Sequence, residues 1–214
     1  MCFSATASFT ASTILFAAGA VAFRQADGFP NQFLSIIPFL FAVQQGFEGL
    51  VWLGLDGVVD AFVQQGAAYG FLTFALSGWP LIFALAAYQV ETELWRQNVM
   101  QYLVGIGVLW AIISYAVLMV SSVSPSAQGG HILYNVVTPP SWFAIPATIL
   151  YAMIGVVPLF MSSEKELRVL GAMVLASGVV TKVLEATHFV SVWCFWAALI
   201  SGYIAYTVYE TDTA

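Results

Sequence analysis

Hydrophobic residues run along this chain in long stretches that short polar segments interrupt. Seven stretches stay apolar over the roughly 20 residues that a helix needs to cross a bilayer. The pattern therefore predicts seven transmembrane helices in a single domain, residues 1–214. Their predicted bounds are 5–23, 33–55, 67–89, 99–121, 141–161, 168–189 and 191–209. Because the last two spans nearly touch, the alternative is six spans, the last of them long and bent.

Composition supports a membrane protein. Hydrophobic residues make up 61% of the chain and charged residues only 7%, with a mean hydropathy of +0.90. Soluble domains average about 25% charged residues. We therefore predict an all-α, multi-pass bundle in the cell (inner) membrane, with the lipid bilayer as its main partner. The net charge of -6 does not favour nucleic-acid binding.

The basic residues predict an orientation. Arg24, Arg96, Lys165 and Arg168 all fall in loops that lie on one side of a seven-span bundle. The positive-inside rule makes that side the cytoplasm. We therefore expect the N-terminus outside and the C-terminus in the cytoplasm. On the cytoplasmic side, the segment that holds Arg96, Glu91 and Glu93 is expected to be a solvated connector.

An acidic residue interrupts the second apolar stretch. Glu48 follows Gln44 by four residues and Gln45 by three, so the three side chains share one helical face. Ionisable groups inside membrane spans are costly, and they are usually paired and functional. Gly46 and Gly49 leave room beside them for a backbone or a ligand. The alternative is a protonated structural carboxyl that is hydrogen-bonded to the neighbouring glutamines.

Several other polar residues are predicted to lie at a similar depth in the membrane to Glu48. With a rise of about 1.5 Å per residue, Glu48 lies roughly 10 Å below the outer end of its span. The predicted topology places several further polar or ionisable residues in the same outer leaflet. They are Cys2, Lys182, Glu185, His188, Ser191 and Cys194.

Three of these residues are candidate metal ligands. Thiolate, carboxylate and imidazole are the groups that zinc prefers, and Cys2, Glu48 and His188 supply one of each from separate elements. Glu185 is a candidate fourth ligand or a group that orients the ligands. We predict a transition-metal site, with zinc as the first candidate, in an outward-facing pocket beneath the loop 122–140.

Each candidate also has a structural alternative. Lys182 and Glu185, three residues apart, are placed to neutralise each other on one helix. His188 has the alternative of an interfacial histidine that is hydrogen-bonded to a carbonyl. Cys2 and Cys194 are candidates for a disulfide, which would remove the thiolate from the metal set. His131, in the loop with two glycines, is expected to be solvent-exposed.

The N-terminal motif Met1-Cys2-Phe3-Ser4-Ala5 resembles the start of a family of uncharacterised prokaryotic membrane proteins. The resemblance continues in the segments Gln44–Trp52 and 191–198, so it covers three short motifs near the two ends of the chain. It implies a multi-pass membrane protein and brings no established activity with it.

Three functions fit the sequence. The first is a metal-binding membrane protein, with a hydrolase as one version in which Glu48 or Glu185 is the general base. The second is a transporter or proton pathway that uses Glu48, Lys182, Glu185 and His188 as relay groups. The third and weakest is a retinal-type photoreceptor with its chromophore on Lys182. A small molecule or a lipid at the outer leaflet is the expected ligand, and the sequence leaves open whether the protein is an enzyme.

Overall fold

The long apolar stretches form helices. A computed structural model describes residues 4–26, 28–136, 140–184 and 187–211, and 83% of it is helical. Its elements are α1 (Ala5–Gln25), α2 (Gly28–Leu55), α3 (Ala61–Leu72), a π-helical segment (Thr73–Gly78), α4 (Trp79–Val90), α5 (Leu94–Val120), β1 (Val123–Gln128), β2 (His131–Val136), α6 (Ser141–Met161), α7 (Lys165–Leu184) and α8 (Phe189–Thr211).

Six of the described spans are long and apolar enough to cross a membrane. They are α1, α2, the continuous run from α3 through α4, α5, α6 and α7. The 23-residue helix α8 packs against α1, α2 and α7 but is not among the six. The break before α8 comes slightly earlier than expected, with Thr187 and His188 in a turn and the helix beginning at Phe189. A seventh span and the orientation stay predictions.

A proline shapes the third long helix. Pro80 has no N–H group, so it donates no hydrogen bond to the carbonyls four and five residues before it, those of Leu76 and Ala75. The Tyr151 hydroxyl donates to the Ala75 oxygen at 2.7 Å, and Trp110 Nε1 donates to the Leu76 oxygen at 2.9 Å. The π-helical segment is therefore tied to α5 and α6, and it fixes the position of the α4 residues that follow.

Helix α2 lies at the centre of the bundle. It contacts α1, α3, α4 and α8. In its apolar 18-residue stretch 61% is buried, against 11% in the corresponding stretch of α5. Helix α5 is accordingly peripheral and presents large apolar side chains such as Leu109, Ile112 and Ile113 on its outer face. In a bilayer these side chains fit a lipid-facing position.

A β-hairpin replaces the loop that was expected between α5 and α6. Gly129 and Gly130 have φ values of +58° and +80°, as a two-residue type I′ turn requires, and the turn brings Gln128 opposite His131. Two donors from α3 hold the start of the hairpin. Gln65 Nε2 donates to the Val123 oxygen at 2.9 Å, and the Tyr69 hydroxyl donates to the Ser121 oxygen at 2.7 Å. The hairpin also contacts α2 and α8, and we call this end of the bundle the hairpin end.

The opposite end carries a buried acid that the sequence interpretation placed in solvent. Glu91 is only 3% exposed. Its carboxylate accepts hydrogen bonds from the backbone N–H groups of Thr92, Glu93 and Ser163 and from the Ser163 hydroxyl. Glu91 therefore links the α4–α5 connection to the α6–α7 connection, and the expectation of a solvated connector was wrong for this residue. Two of these donors, the backbone N–H and the hydroxyl of Ser163, lie 72 residues away in the sequence, and no local pattern reveals them.

The hydrogen bonds to Glu91 lower the pKa of its carboxyl group. Burial raises the pKa of Glu91, but the hydrogen bonds from Ser163, Glu93 and Thr92 outweigh burial and hold the pKa below its usual value of 4.5. Because the folded-state pKa is depressed, this stabilisation is fully present above the unfolded pKa. It is lost as the pH falls through the folded-state pKa.

We predict that Glu91→Gln lowers the free energy of unfolding by about 1.5–3 kcal/mol at pH 7, because an amide NH₂ faces backbone donors. The deficit relative to wild type should shrink as the pH falls below the usual carboxyl pKa of about 4.5. Thermal unfolding of detergent-purified protein at pH 7 and at pH 3.5 measures both. The exposed neighbour variant Glu93→Gln is the matched control, with an expected effect within about 0.5 kcal/mol. An equal deficit for Glu91→Gln at the two pH values would contradict the assignment.

Candidate functional site

A layer of polar side chains separates two apolar clusters inside the bundle. One cluster extends along α2 as far as Phe41 and Ala42, and the other begins at Val51 and Trp52 under the hairpin. Between them lie three α2 residues and one α8 residue, each at most 2% exposed. We call this set, Gln44, Gln45, Glu48 and Ser191, the polar layer.

Glu48 is the centre of the polar layer. Its side chain is fully buried, as predicted for a residue facing the bundle interior. The Ser191 hydroxyl donates to Glu48 Oε1 at 2.7 Å, and Gln45 Nε2 donates to Glu48 Oε2 at 3.2 Å. A carboxyl group in this position needs such donors, because burying it without them costs several kcal/mol. The bond from Ser191 joins residues 143 positions apart and links α2 to α8.

Gln44 extends the layer towards α4. Trp79 Nε1 donates to Gln44 Oε1 at 2.8 Å, and the Trp79 ring stacks on Phe41 with 3.6 Å between ring centroids. Trp79 is the first residue of α4, directly after the π-helical segment and before Pro80. The distortion at Pro80 therefore orients the indole that satisfies Gln44.

The glycines beside Glu48 contact α1 rather than an open pocket. A Cβ at Gly49 would lie 2.8 Å from the Phe9 ring, whereas one at Gly46 would meet Ser12 Oγ at an ordinary 3.7 Å. Ser12 Oγ donates to the Ala42 oxygen at 2.7 Å. Gly49 thus allows a close helix contact, and α1 covers this side of the polar layer.

One hydroxyl of α1 at this depth has no hydrogen-bond partner. Ser8 precedes Phe9, is fully buried, and its Oγ makes no hydrogen bond in the part of the chain that the structure describes. A buried polar group of this kind in a native protein needs an explanation, such as a water molecule, an ion or a ligand.

His188 lies one helical turn before Ser191, which places it about 4.5 Å further along the axis of α8 towards the hairpin end. Its ring faces His131, the first residue of β2, with 5.2 Å between ring centroids and 30° between ring planes. Both residues are half-buried. His131 is therefore not the freely exposed loop residue that was expected.

The remaining candidates are distributed as follows. Lys182 is exposed in the last turn of α7. This position does not favour a retinal-type photoreceptor, which needs its lysine inside the bundle. Cys2 and Glu185 lie outside the described residues, and Cys194 lies in α8 with a side chain that is not described. The alternatives of a Cys2–Cys194 disulfide and of a Lys182–Glu185 pair therefore stay untested.

The described residues contain no group of three or more His, Cys, Asp and Glu side chains that would hold a metal ion. Of the three predicted ligands, Glu48 and His188 lie in neighbouring layers of the hairpin end, and Cys2 is not described. The described residues thus place a buried carboxyl, which accepts hydrogen bonds from Ser191 and Gln45, one layer below a pair of facing imidazoles.

Sequence reasoning missed two residues of this region. Nothing local in the sequence connects Trp79 with Gln44, 35 residues before it. His131 had a usable signal, because Gly129-Gly130 between two segments with β-branched or aromatic residues is a hairpin pattern. That pattern places His131 at the start of a strand, although it does not say which helix the strand meets.

Comparison with known proteins identifies a family whose function is unknown. No curated protein and no solved structure matches the chain. Residues 1–213 match a family of unknown function, DUF6629. Whether this family is the one that the N-terminal motif resembles stays a prediction. The match covers almost the whole chain, and the protein therefore belongs to the DUF6629 family of unknown function.

Proposed function

We propose that this protein spans the membrane seven times and holds a transition metal at its outer end, bound by Cys2, Glu48 and His188. The orientation is supported by the basic residues. Arg24 lies in the last turn of α1, and Arg96 and Arg168 lie near the ends of α4 and α6, at the end opposite the hairpin. With that end in the cytoplasm, the hairpin and the polar layer belong to the outer leaflet.

The topology predicts the location of reporters fused after Arg24, Arg96 and Lys165, which should all report the cytoplasm. A reporter fused at Gly129, in the hairpin turn, should report the outer side. A cytoplasmic signal at Gly129 would contradict the orientation and would move the polar layer to the inner leaflet.

The observation that carries the metal proposal is the Glu48–Ser191 contact. It brings the carboxyl of α2 to the first turn of α8, and His188 comes directly before that helix. The third ligand, Cys2, is close in sequence to a residue that packs at the same end of the bundle. Ala5, at the start of α1, packs against the apolar cluster under the hairpin, as Val190 does. Cys2 is three residues from Ala5, a reach of at most about 10 Å.

The ligand types favour zinc or a similar transition metal. Thiolate and imidazole exclude the all-oxygen sites of calcium and magnesium. Three protein ligands would leave a fourth position open, as in catalytic zinc sites. The buried Ser8 hydroxyl, at the depth of Glu48, would provide a further hydrogen bond for a water molecule there.

Metal content of the purified protein tests the proposal. We expect about one zinc per chain in the wild type, prepared without a histidine tag, and a large loss in Cys2→Ser, Glu48→Gln and His188→Ala. Binding should weaken at low pH, because protons compete with the metal for imidazole and thiolate. Glu93→Gln is the control, because this exposed acid lies at the opposite end. Equal occupancy in all variants, or no metal in the wild type, would refute the proposal.

A proton pathway is the second candidate function. A property of the Glu48–Ser191 hydrogen bond favours it. A serine hydroxyl can donate to a carboxylate or accept from a carboxylic acid. Ser191 can therefore stay hydrogen-bonded to Glu48 in both protonation states. Absence of metal from the wild type, with proton flux into liposomes that Glu48→Gln abolishes, would favour this function over metal binding.

A further inference from the structure

The hairpin brings the two histidines of the chain together. His131 and His188 are the only histidines in the sequence and lie 57 residues apart. One begins β2, and the other precedes α8, yet their ring centroids are 5.2 Å apart. They belong to different elements, so the tertiary packing of the hairpin on the bundle creates the pair.

We propose that His131 and His188 bind one transition-metal ion together, so that the hairpin supplies a ligand to the site. The inference rests on the proposed metal function and adds to it a residue that the sequence placed in solvent. The ion would tie the hairpin to the N-terminal end of α8.

The separation of the rings fits a shared ion. Zinc lies about 2.0–2.1 Å from an imidazole nitrogen, and the ring centre lies roughly 1.1 Å behind that nitrogen. Two imidazoles at a tetrahedral angle around one ion therefore have ring centres about 5 Å apart. The observed 5.2 Å agrees with this geometry. Both rings are half-buried, so few water molecules compete for the ion.

The position of His131 is fixed by the fold around it. The Gly129-Gly130 turn closes the hairpin directly before it, and the next residue, Ile132, is buried with 1% exposure. Tyr134 stacks on Phe71 of α3 with 4.9 Å between ring centroids. A ligand held in this way loses little conformational freedom on binding, which favours affinity.

The pair supplies two ligands, and the other positions have candidates. Cys2, which the proposed function assigns as a ligand, is one of them. Water would complete a four-coordinate site. Glu48 lies in the layer below, where its carboxylate serves either as a ligand or as the group that orients the site.

Titration with Co²⁺, whose visible absorption reports its coordination, tests the pair. We expect His131→Ala and His188→Ala each to weaken Co²⁺ binding by at least about 10–100-fold. Gln128→Ala is the matched control, because Gln128 is exposed and lies directly opposite His131 in the same hairpin. It should bind Co²⁺ as the wild type does.

The outcomes separate this inference from the proposed function. Normal binding by His131→Ala, with binding lost in Cys2→Ser, Glu48→Gln and His188→Ala, would overturn the role of His131 and leave the proposed site intact. No Co²⁺ binding by the wild type would overturn both. If His131→Ala does not fold, X-ray absorption of the zinc-loaded wild type counts the imidazole ligands. Two imidazoles would support the pair, and one or none would overturn it.

Discussion

The hydrogen bond from Ser191 to Glu48 is the interaction on which the arrangement of the hairpin end depends. A carboxyl group inside an apolar bundle requires donors from the protein; Gln45 on the same helix donates to Glu48 Oε2, and Ser191 donates to Oε1. The Ser191 donor comes from another helix. Its bond to Glu48 Oε1 holds the first turn of α8 against α2 about seven residues before the end of α2.

That placement has consequences for the elements around it. Because α8 begins at this depth, the turn at His188 lies beside the last turns of α2, and the hairpin covers this region through contacts with α2, α3 and α8. The same packing sets His131 against His188. A buried acid, an imidazole pair and the start of α1 thus share one end of the bundle.

The helices were largely predictable from the sequence, because hydrocarbon-length apolar stretches leave few alternatives to helix. The bounds of α6, for example, agree to the residue with the predicted span 141–161. The burial of Glu48 inside the bundle was also predictable, because a carboxyl group within an apolar span is costly in lipid. The sequence pattern did not identify contact partners that lie far away in the sequence. The Ser163 donors to Glu91, the Trp79 donor to Gln44 and the neighbour of His131 are set by packing between elements far apart in sequence.

A double-mutant cycle between Glu48 and Ser191 tests the central claim most directly. The free energies of unfolding of Glu48→Leu, Ser191→Ala and the double variant would be measured in detergent without added metal. The account predicts a coupling energy of about 1–3 kcal/mol, as expected for a buried hydrogen bond to a carboxyl group. Effects that add within about 0.5 kcal/mol would show that the two residues do not interact and would contradict this arrangement of α2 and α8.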